Sequence, residues 1–379
     1  MRLALVGCGY VADFYMRTLR NHPELELVGA TDIRPERAKQ FCDHHGATPL
    51  DRLESVLADP RIELVANLTN PASHYEVSKA ALLAGKHVYS EKPLAMSYEQ
   101  GEELVRLADS KGLQLASAPC SILGETAQTL WRALRREEIG RVRLAYAELD
   151  AGPAFFMNPE TWLSDSGAPW PYQDEYEVGC TIEHAGYYLT WLMAFFGPVR
   201  TVQSYARCLV TDKGVPVKTP DFTVGCLELA SGVVARITCG LYAPLDHSLR
   251  LIGDGGVLRV DDCWDYGAPV LLHKRTKLGL KAENHPRLAP WIGLGPKPIP
   301  LARKPRFVFK GKGANPMDFA RGLAEVAAAV REKRACRLSA RFGLHVAEVT
   351  LALQNPPSGG GVYRTRSEFE PMAPMEWAR

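Results

Sequence analysis

The chain has 379 residues, 46% hydrophobic and 23% charged, with a formal net charge of +2. That length predicts about two domains with a sizeable core, and the absence of a recognition motif or interleaved aromatic pattern beside the basic residues argues against nucleic acid as a partner. No run of about eighteen apolar residues is present, so no membrane span is expected, and the four-residue N-terminal apolar run is too short for a signal peptide. Nine scattered cysteines with no C-x-x-C pair argue against a disulfide frame or a metal site. Cys8, Cys180, Cys226 and Cys239 are expected as reduced, buried thiols of a cytoplasmic protein.

The first element is an apolar run at 3–6 that meets Gly7, Cys8 and Gly9, with Ala12 three residues further, a G-x-G-x-x-A spacing. Gly7 permits a tight turn, and Gly9 lets a pyrophosphate approach the N–H groups of Tyr10 and Val11 at a helix N-terminus. Ala12 is small enough for that helix to pack on its strand. A second apolar run at 25–30 ends in Thr31-Asp32, where a carboxylate can accept both ribose hydroxyls of an adenosine. NAD is the expected cofactor. NADP is disfavoured by Asp32, although Arg34 could pair with a 2′-phosphate.

Apolar runs at 3–6, 25–30, 64–68, 87–90 and 113–117 alternate with helical patterns at 10–20, 35–44, 72–84 and 97–111. This rhythm predicts an α/β Rossmann domain, a doubly wound parallel sheet, over residues 1–119. Asn70-Pro71 and Lys92-Pro93 fall just past carboxyl ends of strands, where such sheets bind ligands. After Pro119 a helix is expected at 123–138, a strand at 141–149 and an aromatic-rich loop at 152–176. An apolar helix over 180–196 closes at Gly197-Pro198. Strands at 199–210, 222–230, 233–240, 248–252 and 256–260 look antiparallel, with hairpin turns at Ser231-Gly232 and Asp254-Gly255. Helices at 315–333 and 340–353 precede a short final strand. Residues 120–379 are thus expected to form an α+β domain with a large, mostly antiparallel open sheet.

Residues 270–312 hold eleven Lys or Arg and one acid, Glu283. Such a segment is either a solvated excursion or a contact to an anion, with Arg303, Lys304 and Arg306 as its densest cluster.

With Ser90-Glu91-Lys92-Pro93 after the fourth strand, the chain resembles the Gfo/Idh/MocA oxidoreductases, the glucose–fructose oxidoreductase and inositol dehydrogenase family. Gly46 and Asp51, Thr69-Asn70-Pro71 with His74, Gly85-Lys86-His87-Val88, and the central helix before Gly197-Pro198-Val199 stand where that family places similar residues. The resemblance implies that Lys92 is the catalytic lysine, framed by Glu91 and Pro93, with Thr69, Asn70, Pro71 and His74 beside the cofactor. Independently, a lysine at the mouth of a nucleotide site can bind a carbinol oxygen and stabilise developing negative charge.

The chain departs from the family on the apolar helix, where the usual D-x-G-x-H becomes Glu183 and Tyr187, with His184 one residue off the track. Tyr187 acts as base if a nearby Lys92 ammonium lowers its phenol pKa. Alternatively His184, with an ordinary pKa of about 6.5, moves the proton. Trp162, Trp170, Tyr172, Asp165, Asp174 and Glu175 of the loop are candidates for stacking on a sugar or accepting its hydroxyls; a clamp between domains or subunits is the other reading. His247 is a further substrate candidate.

The leading expectation is a hydride transfer between nicotinamide and a carbinol of a sugar, sugar derivative or nucleotide sugar, the substrate carrying an anionic group if the basic segment contacts it. A redox-neutral epimerase or glycoside-cleaving enzyme, and a non-catalytic cofactor-binding sensor or scaffold, are the alternatives. The resemblance also implies a homo-oligomer, dimer or tetramer, through the second sheet.

Overall fold

The structure is a computed structural model describing residues 1–216, 218–278, 295–305 and 316–379. Strands β1 (Arg2–Val6), β2 (Glu26–Thr31), β3 (Leu64–Asn67), β4 (His87–Ser90) and β5 (Leu115–Ser117) form a parallel sheet in the order β2-β1-β3-β4-β5. Helices α1 (Tyr10–Leu19), α2 (Pro35–His45), α3 (Leu53–Ala58), α4 (His74–Leu83) and α5 (Tyr98–Lys111) connect them. The strands read as unbroken apolar runs because both faces are covered. Leu3, Leu5, Leu64 and Ala66 enter one core, while Ala4, Val6 and Val65 enter the other. Helix α3 is an addition to the expected elements: Val56 is its one buried residue, too little periodicity to announce a helix.

From β1 the chain goes to β2 on one side and then crosses to β3 on the other. The carboxyl ends of β1 and β3 therefore open a crevice at the point where the strand order reverses, the usual place for a ligand in such a sheet.

Among the described residues the second sheet has nine strands: β6 (Val142–Asp150), β7 (Val199–Arg207), β8 (Phe222–Leu229), β9 (Val234–Gly240), β10 (Leu249–Gly253), β11 (Gly256–Val260), β12 (Val270–Lys274), β13 (Lys297–Ile299) and β14 (Tyr363–Arg364). Their order is β13-β12-β11-β10-β6-β9-β8-β7-β14. The hairpins at Ser231-Gly232 and Asp254-Gly255 join antiparallel pairs. The sheet is mostly antiparallel, as expected, with β6 and β9 as a parallel pair from Leu144 beside Val234 to Asp150 beside Gly240. The long connection between them, with helices and two strands, permits that pairing. β12 and β13 fall inside the basic segment, so part of it is sheet rather than solvated excursion.

Helices α6 (Glu125–Arg135), α7 (Tyr172–Val178), α8 (Cys180–His184), α9 (Gly186–Phe196), α10 (Arg321–Arg331) and α11 (Ala340–Gln354) complete the described elements. The apolar helix expected over 180–196 is α8 and α9, meeting at Ala185, which keeps helical dihedrals of φ −56° and ψ −34°. The first late helix starts at Arg321 rather than near 315. Ser339 caps α11, its hydroxyl accepting from Phe342 N at 3.3 Å. That helix packs on both α5 and β7, and its Leu344 and Ala347 enter the core beneath the first sheet. The end of the chain thereby fastens the two sheets together.

Cys8, Cys180 and Cys239 are buried, but Cys226 is exposed. Along β8 the side chains of Thr223, Gly225, Leu227 and Leu229 turn inward, and the period of two sends Cys226 to the outer face. No described helix is long and apolar enough to cross a membrane.

Candidate active site

The glycine turn closes β1 onto α1. Gly7 has φ +97°, and a Cβ there would stand 2.6 Å from the Leu68 carbonyl oxygen at the end of β3. Glycine alone meets both demands. Gly9 caps α1 with no side-chain hydrogen bond, and open space lies where its Cβ would be. The first-turn N–H groups around Tyr10 and Val11 are therefore left for a ligand anion, at the positive end of the helix dipole. Ala12 is fully buried against the sheet.

Asp32 follows β2. Its Oδ2 accepts from Cys8 N at 2.9 Å and its Oδ1 from Arg34 N at 3.0 Å. Two backbone bonds fix the carboxylate, and its remaining lone pairs are left for a ribose diol. Ile33 beside it is 97% exposed, an apolar ledge suited to an adenine. The exposed Arg34 guanidinium stands 3.6 Å from Asp32. Arg37, which no sequence motif marks, donates to the Cys8 carbonyl at 2.6 Å and holds the glycine turn from α2.

Thr69, Asn70 and Pro71 follow β3, and Glu91, Lys92 and Pro93 follow β4. His74 is fully buried between these loops, its Nδ1 2.7 Å from Pro93 O and its Nε2 2.9 Å from Thr69 O. With no exposed surface, His74 is a brace between the loops. Glu91 is also a brace, its Oε1 accepting from the Tyr15 hydroxyl at 2.7 Å and its Oε2 from Lys92 N at 3.1 Å. Thr69 donates from its hydroxyl to Asn67 Oδ1 at 2.6 Å.

The Lys92 side chain is 20% exposed, and its Nζ donates to Glu183 Oε2 on α8. Burial pulls its pKa down, but Glu183 and then Glu175 lift it above the ordinary lysine value, so it is a cation. Tyr187 lies one helical turn beyond Glu183, half-buried, its ring edge-on to Trp264 at 5.3 Å. Burial pushes the phenol pKa up, and Lys92 opposes this only in part. The direction is thus opposite to the expected shift towards neutrality, because burial of the ring outweighs Lys92, whose charge is engaged by Glu183. Tyr187 is an O–H donor.

His184 is buried, with Nδ1 3.1 Å from the Cys180 carbonyl. Burial, then Lys92 and His247, lower its pKa to about 3. It is a neutral imidazole whose hydrogen bond assigns the proton to Nδ1, leaving Nε2 as acceptor. An ordinary histidine poised near neutrality was the expectation, and burial removes it.

Trp264 joins these residues, its ring 6.1 Å from His184 and 4.1 Å from His247. Trp264 Nε1 and His247 Nε2 are shielded and have no hydrogen-bond partner among the described residues, while His247 Nδ1 stands 3.5 Å from Asp262. Sequence reasoning missed Trp264, because a single tryptophan after β11 belongs to no periodic pattern or motif.

In the aromatic loop, the rings of Trp162 and Trp170 lie 4.8 Å apart, and Tyr172 meets Tyr176 at 5.9 Å. The loop's polar groups go to the first sheet's helices. Asp165 takes both bonds of the Arg17 guanidinium at 2.5 Å. The Ser166 hydroxyl donates to Asp13 at 2.8 Å, and Arg37 donates to Ser166 O at 2.8 Å. Asn70 Nδ2 donates to Asp174 Oδ2 at 2.6 Å. These bonds make the loop a clasp between the two halves and take Asp165 away from a sugar-contacting part. Glu175, next on α7, has a shielded Oε2 with no hydrogen-bond partner among the described residues.

Of the basic segment, Arg303 donates to Glu125 at 2.7 Å and lies 4.1 Å over the Trp377 ring. Lys274 pairs with Glu138 at 3.2 Å, and Arg275 donates to the Gly253 carbonyl at 3.1 Å. These cations hold the fold together. Lys304 is exposed; Arg306 lies outside the described residues.

A dinucleotide lying along this crevice from Asp32 would bring its far end to Lys92, the layout of a dinucleotide-dependent oxidoreductase. Residues 1–118 match the family model described as oxidoreductase family, NAD-binding Rossmann fold, and residues 127–259 match the GFO/IDH/MocA C-terminal domain. The chain belongs to this family of NAD(P)-binding oxidoreductases. It is 24% identical over 297 residues to the trans-1,2-dihydrobenzene-1,2-diol dehydrogenase of Oryctolagus cuniculus, covering 77% of this chain and 85% of that one. It is 43% identical over 117 residues to scyllo-inositol 2-dehydrogenase (NADP(+)) IolW of Bacillus subtilis, 31% of this chain and 32% of that one. Among solved structures, the aldose-aldose oxidoreductase of Caulobacter crescentus complexed with glycerol superposes with a TM-score of 0.76 at 18% identity, covering 96% of this chain and 99% of that one.

Proposed function

We propose that the protein is a dehydrogenase that moves a hydride between nicotinamide and a CH–OH carbon of a sugar, sugar derivative or nucleotide sugar. Residues 1–119 form its cofactor half and residues 120–379 its substrate half. The observation that carries the reading is the Lys92–Glu183 pair at the end of β4, with the Tyr187 phenol one helical turn away. The bound dinucleotide supplies the hydride acceptor. Lys92 donates a hydrogen bond to the carbinol oxygen and stabilises the charge that develops there. Tyr187, protonated at rest, gives its phenolic proton to the carbonyl oxygen in reduction, and its phenolate takes the hydroxyl proton in oxidation. Among the described residues its hydroxyl has no hydrogen-bond partner, whereas His184 commits Nδ1 to a backbone carbonyl. Two relatives are named for a cyclic diol and for an inositol, which supports a polyol substrate.

The test is NADH absorbance of purified protein against a panel of sugars, inositols and nucleotide sugars, repeated with Lys92→Ala. Reduction of NAD that vanishes in the variant is expected. Tight NAD binding with no reduction by any alcohol would sink the reading. A homo-oligomer is part of the proposal: Tyr205 and Val234 stand exposed on the nine-stranded sheet, and light scattering that shows a monomer would remove it.

A further inference from the structure

Oxidation of a carbinol releases a proton, yet near neutrality Tyr187 rests protonated and His184 rests as the neutral imidazole. Burial holds the phenol's proton tightly, and His184 has already lost its own at about 3. A different group in the site is poised there. Glu175 sits on α7, which the Asp174–Asn70 bond ties to the loop after β3 and which packs on α8, the helix of Glu183. Lys92 Nζ is taken by Glu183, not by Glu175. Among the described residues Glu175 Oε2 is shut from water and receives no hydrogen bond.

An unpaired carboxylate in such a place is the expensive state, and the neutral acid the cheap one. The charged groups that face Glu175 are Lys92 from the loop after β4, Glu183 on α8, and Asp174 on its own helix. Burial and Glu183 outweigh Lys92 and leave the carboxyl at about 8.

We propose that Glu175 is a substrate-contacting residue that works as a neutral carboxylic acid, bonded to a hydroxyl of an uncharged polyol held at Lys92. This rests on the dehydrogenase reading above. A protonated carboxyl is a donor and an acceptor at once, which is what a hydroxyl offers in return. A substrate carboxylate or phosphate at the same place would meet Glu183 and Asp174 as like charges. The site therefore selects hydroxyls on the side facing α7 and rejects anionic groups there.

The test uses the NAD-loaded enzyme with myo-inositol, D-glucose and D-glucuronate as probes, and Glu175→Gln and Glu175→Ala as variants. Turnover is followed by NADH absorbance and binding by tryptophan fluorescence. Glu175→Ala raises KM or Kd for the uncharged probe about tenfold, the cost of one lost hydrogen bond in a shielded site, while Glu175→Gln largely rescues it. The wild-type KM rises as pH passes 8 and the carboxyl ionises; that of Glu175→Gln does not. Glucuronate binds more weakly than glucose. An alanine variant with unchanged KM and Kd overturns the proposal, as does a glutamine variant that keeps the alkaline rise. If no probe is turned over but its binding still depends on Glu175, the dehydrogenase reading fails and the contact stands. If turnover is normal and indifferent to Glu175, the reverse holds.

Discussion

Lys92 reaches from the end of β4 to Glu183 on α8, so the cation at the cofactor crevice is held by a carboxylate 91 positions along the chain. The pair does more than orient the lysine. Burial alone would drive the ammonium towards its neutral form, and Glu183 is the largest influence that prevents it.

Glu183→Gln keeps the side chain's size and removes that counter-charge. The lysine pKa then falls, so the alkaline limb of the kcat/KM profile moves to lower pH. The loss relative to wild type is expected to be about tenfold or more at pH 9 and smaller at pH 6, since one pKa unit is a factor of ten in protonation. An alkaline limb that stays in place would show that Glu183 does not set the charge of Lys92.

Tyr187→Phe removes the phenolic oxygen and should lower kcat by roughly 10²–10⁴, the usual contribution of a positioned acid or base. Lys92→Ala should cost at least as much. The double variant should be little worse than Lys92→Ala alone, because groups acting on one oxygen are non-additive. His184→Asn should leave most of the rate, as Nδ1 serves a backbone carbonyl. Turnover abolished by His184→Asn and spared by Tyr187→Phe would transfer the role to His184.

These variants also mark where local sequence is informative and where it is not. The first sheet was legible because apolar runs and helical patterns alternate, and Gly7, Gly9 and Asp32 sit at the strand ends that the alternation defines. Lys92, Glu183 and Tyr187 were legible as candidates from motif spacing. Their protonation was not, since it depends on which neighbours remove water. Burial reverses the expected direction at Tyr187, and it sets His74 and Glu91 as braces behind the loops that carry Thr69 and Lys92. The parallel β6–β9 pair was hidden for a related reason: strand direction is set by a connection of some eighty residues, not by either strand's pattern. Trp264 meets Tyr187 and His247 through tertiary packing alone.

Cofactor choice follows from Asp32. With its carboxylate fixed by Cys8 N and Arg34 N, a 2′-phosphate would meet a like charge that cannot swing away. NAD should exceed NADP in kcat/KM by at least about tenfold, given that such juxtapositions cost several kcal/mol. Asp32→Ser should narrow the ratio and leave Arg34 to attract the phosphate. Wild-type protein that prefers NADP would remove the assignment of Asp32 to the ribose.

The neutral carboxyl of Glu175 also leaves a mark on stability that needs no substrate. Its folded-state pKa of about 8 lies above the ordinary value of 4.5. Below pH 4.5 both folded and unfolded chains hold the proton, and the group contributes nothing. Between 4.5 and 8 the unfolded chain ionises while the folded one does not, so stability is lost progressively as pH rises; above 8 the loss is constant. Glu175→Gln cannot ionise and escapes this loss. The Tm of Glu175→Gln should therefore match wild type near pH 4 and exceed it increasingly up to pH 8, where calorimetry should find the widest gap. A Tm difference that is flat from pH 4 to pH 8 would mean that Glu175 is an ordinary ionised glutamate in the folded protein.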